Sequence, residues 1–456
     1  MSSSKVNGTA SSDWPFPNPQ VVREEYLPKL AIKPWLTAHT PERILKNCRI
    51  VDPASGKVLD GLKSITIADG NIVSVENTAN ETGSNVIDVE GNYVSPGLID
   101  CHVHITAAPG VKTMLELVKL PDQLTSLRST FVLKEMLARG FTTVRDTGGA
   151  SKIIATALEE GLLEGPRLFQ CGKALSQTGG HADFQSAVSG GNQTGCCGGH
   201  SESLGRVCDG VPQVLKAVRE ELKAGADFIK IMMGGGVSSE ADPIDMIQFT
   251  EEEVQAITKT CDRMGNKIST AHAYTPAAIR HAVENGVKAI EHGNFLDVPT
   301  AQLMAEKGIF LTPTLACYGI MARKPFEDFL SEVGRPKNLE VMTKGLEALK
   351  IAEDAGITVC YGSDLLVSMH ALQTEEFTVR SQVLDSPTIL RQATTNAAKL
   401  LKQEGKLGVI APGAYGDIIV LKSNPLEDIT VLDQPEENLL AVIKEGRTSM
   451  TRIKGL

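Results

Sequence analysis

The histidines of this chain are few, and four of them fall where short apolar runs stop. There are nine in 456 residues. GLIDC runs into His102-Val103-His104, KISTA into His272, and AIE into His292. DFI runs into Lys230 and TVCYGS into Asp364 in the same manner. Residues i and i+2 of a strand face one side, so His102 and His104 can chelate one ion. Neutral imidazoles with a carboxylate suit a borderline divalent cation, Zn2+ as the default, with Mn2+, Co2+ or Fe2+ able to use the same ligands. A protonated lysine cannot bind a cation, so Lys230 has to be neutral or modified. Nearby cations favour its deprotonation. A neutral amine can add CO2 and become a carbamate (N6-carboxylysine), whose two oxygens can bridge two ions. Each residue alone has a plainer reading: a core histidine, a salt-bridge lysine, a turn aspartate in Gly-Ser-Asp. Together, four imidazoles, an amine and a carboxylate buried at one place without metal would leave several polar groups unsatisfied.

Bringing these residues together requires a scaffold in which strand ends converge. Eight candidate strands alternate with helical stretches: GLIDC, FTTVRD, RLFQCG, DFIKIMM, KISTAH, AIEHG, IFLTPTL and TVCYGSD. VPQVLKAVREELKAG and TEEEVQAITKTCDRMG carry apolar residues at three- and four-residue spacing and end in Gly. The expected fold is α/β, a parallel (β/α)8 TIM barrel over residues 96–405, with the polar strand ends at its mouth. Strand-like text punctuated by Asp-Pro, Asp-Gly and Glu-Gly occupies residues 43–95 and returns in 406–456. This predicts one small β-sandwich domain made from both chain ends. Residues 1–42 form an arm rich in Ser, Pro and Asn; Trp14, Phe16 and Trp35 leave open an arm laid on the body or a neighbouring subunit, or a tail with a few aromatic anchors. The Gly- and Ser-rich stretch 174–210, with His200, is the expected lid. MMGGGVSS lacks GxGxxG, which excludes a Rossmann reading, and no P-loop is present.

Composition narrows the partners. A formal net charge of −10 argues against nucleic acid, whose phosphates need a basic face. No apolar run approaches a membrane span, and the start has no secretory pattern. Nine scattered cysteines, Cys196 and Cys197 adjacent, read as reduced thiols of a cytoplasmic protein. The expected partner is a small-molecule substrate, with a homo-oligomer suggested by the arm.

With these residues in view, the chain resembles the amidohydrolase superfamily, through GLIDCHVH (97–104), FIKIMMGGG (228–236), STAHAY (269–274), AIEHGN (289–294) and GSD (362–364). In the two-metal branch that this implies, the first ion takes His102, His104, Lys230 and Asp364, and the second takes Lys230, His272 and His292. ALSQTGGH (174–181) and AHAYTPAAI (271–279) look like the branch of Xaa-Pro-type and other carboxy-terminal dipeptidases and the ochratoxin-hydrolysing amidase, while the arm and CCGGH depart from it. The resemblance makes His181 and Tyr274 candidates for holding a substrate carboxylate or carbonyl; the alternatives are a loop-stabilising His181 and a helix-capping Tyr274. His370, six residues beyond Asp364, is a further substrate-binding candidate. The implied activity is hydrolysis of an amide (a dipeptide or N-acyl amino acid) by hydroxide bridging two metals, with Asp364 as catalytic base and then acid. Lactone, phosphoester or cyclic-amide hydrolysis on the same metals is the alternative, and a non-catalytic barrel scaffold the most remote reading.

Overall fold

The structure, a computed structural model, describes residues 32–36, 42–80, 82–184 and 204–456. Both chain ends enter one nine-stranded sheet, in the order Arg447–Thr451, Leu439–Lys444, Ile418–Leu421, Tyr93–Pro96, Arg43–Asp52, Lys63–Ala68, Asn71–Asn77, with Lys57–Val58 and Val86–Asp88 also paired to Arg43–Asp52. The ends meet at Tyr93–Pro96, which runs parallel to Arg43–Asp52 and antiparallel to Ile418–Leu421. Strand alternation buries Ile65 and Ile67, and these join Leu45, Ile50, Ile418 and Ile443 in one apolar cluster. Asp69 and Gly70, at φ of 47° and 77°, make the two-residue turn between Ala68 and Asn71. Positive φ at both central positions gives a turn whose twist matches its strands.

The middle of the chain alternates strand and helix, and its strands run parallel in two sheets. Leu98–Val103, Phe141–Asp146 and Arg167–Gln170 form one, in that order. The other has the order Gly205–Val207, Ala174–Ser176, Ile229–Met232, Ser269–Ala273, Ala289–His292, Phe310–Thr312. Helices Gly210–Lys223 and Glu251–Arg263 occupy the stretches whose spacing predicts them. Thr250 and Glu253 exchange side-chain to backbone bonds at the start of the second, so its first amides are satisfied. Its Val254, Ile257 and Cys261 then face the sheet, packing with Ile229, Ile231, Ala271 and Ile290.

Two features differ from expectation. Ala174–Ser176 and Gly205–Val207 are short strands not anticipated from the text, and they extend one edge of the larger sheet. TVCYGSD, expected as the eighth strand, is not one. Val359 makes an isolated bridge to Leu311, Cys101 N–H donates to Tyr361 O (2.8 Å), and Tyr361 N–H donates to Gln392 O (3.0 Å). The backbone groups of this segment go to different neighbours, and Asp364 at φ 50° turns out of extended geometry, so no ladder propagates. A further bond, Asp227 N–H to Gln170 O (2.8 Å), runs between the two parallel sheets. No helix among the described residues is long and apolar enough to cross a membrane. The seven described cysteines are free and buried; Cys196, Cys197, His200 and most of the expected lid lie outside the described residues.

Arg167 ties the parallel strands to the two-ended sheet, donating to Asp417 (2.6 Å) and Glu445 (2.5 Å). Asp417 is almost fully buried, at 5% exposure. Removing one partner of such a pair strands a charge out of water. Arg167→Met should therefore cost about 3 kcal/mol in urea-unfolding free energy. Adding Asp417→Asn to that variant should recover part of the loss.

Candidate metal centre

The polar strand ends converge on one pocket. His102, His104, His181, Lys230, His272, Tyr274, His292 and Asp364 all line it, with Met114, Met232 and Leu366 among its apolar neighbours. Each histidine is fixed through one ring nitrogen. His102 Nδ1 faces Glu291 Oε2 (2.8 Å), and His104 Nδ1 meets Gly148 O (2.9 Å). His272 Nε2 meets Gly235 O (3.1 Å), and His292 Nδ1 meets Thr314 Oγ1 (2.7 Å). Holding one nitrogen sets the tautomer and aims the other, the arrangement metal-ligating imidazoles need. His102 and His104 turn their Nε2 atoms to Asp364 Oδ1, at 3.4 and 3.3 Å. Ligand atoms of these three residues all lie within 4.8 Å of one another. The His292 and His272 rings sit 4.6 Å apart, centroid to centroid. His292 and Asp364 both adopt positive φ, 73° and 50°. Side chains other than glycine tolerate this poorly, and such strain gathers at functional sites.

Electrostatics at the pocket follow from its dryness. Burial pushes the Lys230 ammonium down to about 8, although Glu291 and Asp364 pull the other way. Burial, with neighbouring imidazoles, holds His272 and His292 well below the usual histidine range, so both rings are neutral. Burial opposes ionisation of Asp364, yet His102 and His104 keep its carboxyl well below the usual range. Neutral nitrogens, a carboxylate and a lysine easily deprotonated make a donor set that fits divalent cations.

Residues 93–449 match the Amidohydrolase family. The chain belongs to the amidohydrolase family. It is 31% identical to an ochratoxinase of Aspergillus niger, over 75% of this chain and 72% of the relative. Among solved structures, a prolidase complexed with N-methylphosphonate-L-proline is 42% identical, covers 90% of this chain and 99% of its own, and superposes with a TM-score of 0.85. A Xaa-Pro dipeptidase with methionine bound in its active site is 31% identical, with the same coverage and a TM-score of 0.80. This amidohydrolase is a hydrolase acting on amide or peptide bonds, its family generally uses divalent metals, and His102, His104 and Asp364 form a group that could hold a metal ion.

The pocket unites eight of the nine residues singled out from the sequence; His370 stands apart. It sits in a 3-10 turn, Val367–Leu372, with Nε2 3.2 Å from Ala107 O, and does not line the pocket. Burial and the nearby Arg139 push it down to about 3, so it is a neutral core histidine. Lys230 also differs in placement: it is the second residue of its strand, Ile229–Met232, not the last.

Several supporting residues are not singled out by the sequence. Glu291, fully buried, accepts from His102, from Arg145 Nη1 (2.8 Å) and from Thr270. Asp100 accepts from the amides of His102 and Ser363 (both 3.1 Å), which ties the His102 strand to the Asp364 segment. Asp146 accepts from Ile105, Gly148 and Ala150 amides, fixing the turn whose Gly148 carbonyl meets His104. The available signal was a charge inside an otherwise apolar strand, as in AIEH and FTTVRD. Glu291→Gln removes the charge that His102 and Arg145 share, so divalent-metal affinity should fall about 10- to 100-fold. Competition with a chromophoric chelator measures this.

Proposed function

We propose that this amidohydrolase cleaves the amide bond of a small substrate bearing a free carboxylate, such as a dipeptide or N-acyl amino acid. The proposed scaffold is a closed (β/α)8 barrel, residues 96–405, completed by the Val359–Tyr361 segment between the Leu311 and Cys101 strands. Residues 43–95 with 406–456 would form its small β-sandwich domain. In this reading His102, His104, Lys230 and Asp364 would hold one divalent cation, and Lys230, His272 and His292 would hold a second, Zn2+ by donor chemistry. Lys230 would take part as a carbamate. The observation that carries this is a lysine buried beside four imidazoles and a carboxylate, where an ammonium would oppose every cation in reach. Bound there, such cations supply Lewis acidity toward a carbonyl oxygen and acidify water.

The chain's own residues do the rest. Asp364, kept ionised by its two histidines, takes the proton of the attacking water and returns it to the leaving nitrogen. An amide needs that return, because an amine leaves poorly without a proton. Tyr318 donates to the Tyr274 hydroxyl (3.1 Å), so the Tyr274 O–H is available to the substrate's carbonyl or carboxylate. His181 stacks on His272, ring centroids 4.2 Å apart, and is assigned the carboxylate. The amino acid and amino-acid phosphonate bound by the two solved relatives support that assignment by chemistry.

Asp364→Asn should abolish turnover while the protein retains much of its metal, measured by elemental analysis beside an activity assay. Retained turnover contradicts the proton-carrying role. Against a panel of dipeptides, N-acyl amino acids, lactones and hydantoins, the first two classes should be hydrolysed fastest, and prior chelation should abolish the activity. Preference for lactones would overturn the substrate class.

A further inference from the structure

We propose that Asp242, held by Lys337, is the positioning residue that orients His181 toward the substrate carboxylate and so sets the preference for it. This rests on the assignment of His181 above and extends it to residues 61 and 156 positions away in the chain. Asp242 sees no solvent, and His181 is 8% exposed. Oδ2 of Asp242 accepts from the Gly236 amide (2.9 Å) and faces His181 Nδ1 at 3.2 Å. Oδ1 accepts from the Ser239 hydroxyl. Ser239 has then spent its one proton on Asp242, so its oxygen, 2.7 Å from His181 Nδ1, accepts from that ring. Both contacts take a hydrogen from Nδ1, so Nε2 is the nitrogen turned to a pocket occupant, and it meets a carboxylate as a donor when the ring carries a hydrogen there as well. Its hydrogen-bond neighbour among the described residues is Ser238 Oγ, at 3.5 Å.

The ring also needs a surface to lie on, and Gly236 provides it. A Cβ there would come within 1.9 Å of His181 Cε1, so the backbone itself is the wall of the ring's slot. Lys337, from the helix Gly334–Met342, pins the whole turn. Its Nζ donates to Gly236 O (3.3 Å), Ser239 O (3.0 Å) and Asp242 O (2.7 Å). One ammonium thus fixes the loop, the loop fixes Asp242, and Asp242 fixes the rotation of His181. Neither Lys337 nor Asp242 has a hydrogen bond to a metal ligand among the described residues, but the loop does, through Gly235 O to His272, so metal content is read beside KM.

The test compares the N-acyl amino acid hydrolysed fastest in the panel with its C-terminal amide. In Asp242→Asn the anion that holds Nδ1–H becomes a neutral amide, and the charge-assisted hold on the ring is lost. KM for the carboxylate should rise about tenfold, the effect of one misdirected hydrogen bond. kcat should change less than about threefold, with KM for the amide and metal content unchanged. Lys337→Met should move the same KM ratio in the same direction by less, which keeps the test decisive if Asp242→Asn folds poorly. His181→Ala separates the two levels. If it leaves the carboxylate preference intact, the assignment of His181 is wrong. If it removes the preference while Asp242→Asn and Lys337→Met keep it, the positioning inference is wrong. Equal loss of kcat and metal on both substrates would reduce Asp242 to a structural role and also overturn it.

Discussion

A carboxylate that water cannot reach has to be shared, and Glu291 is shared by three parts of the fold. His102 from the first parallel strand, Arg145 from the next and Thr270 from the strand paired to that of Glu291 all spend hydrogen-bonding capacity on it. A buried charge without such partners is expensive enough that the chain would neutralise it or rearrange. Here burial works against the charge, but Arg145, Lys230 and His102 hold the carboxyl well below its usual range. The position of His102 is therefore set by an anion, and that anion by a guanidinium which also donates to Cys101 O at 2.9 Å. Sheet, charge network and pocket are one construction.

The same dryness makes Lys230 the most demanding side chain of the molecule. It is 2% exposed, close to Arg145 and to four imidazoles, in a site whose remaining donors suit cations. Burial, with Arg145, already draws its ammonium down to about 8, which eases loss of the proton. On the proposed reading, conversion to an anion removes the conflict with its neighbours and adds a carboxylate-like ligand beside Asp364. Chemistry at Asp364 then follows, because it is the carboxylate that closes the group and can take and return a proton.

Much of this was legible in the sequence, for a physical reason. A strand buried on both faces reads as an apolar run, so a histidine, lysine or aspartate that interrupts one is conspicuous. His102, His104, Lys230, His272, His292 and Asp364 are all such interruptions. What was illegible depends on distance and direction. Glu291 precedes His292 and looks like an ordinary strand charge until Arg145, 146 residues earlier, is folded against it. Asp242 sits in a loop whose meaning lies in a lysine 95 residues later. His370 follows Asp364 closely, but the 3-10 turn carries its ring to Ala107 O and away from the pocket. TVCYGSD has the β-branched and aromatic content of a strand, yet its backbone bonds go to Leu311, Cys101 and Gln392 separately, which no local propensity records.

The chemical state of Lys230 decides whether the site is built this way, and one spectrum addresses it. Protein loaded with zinc in 13C-bicarbonate and then freed of excess label should give a single carbamate carbon resonance, absent from Lys230→Ala. A labelled, active, metal-replete enzyme with no such resonance would contradict the account, because a buried ammonium or free amine would then be sufficient for the site.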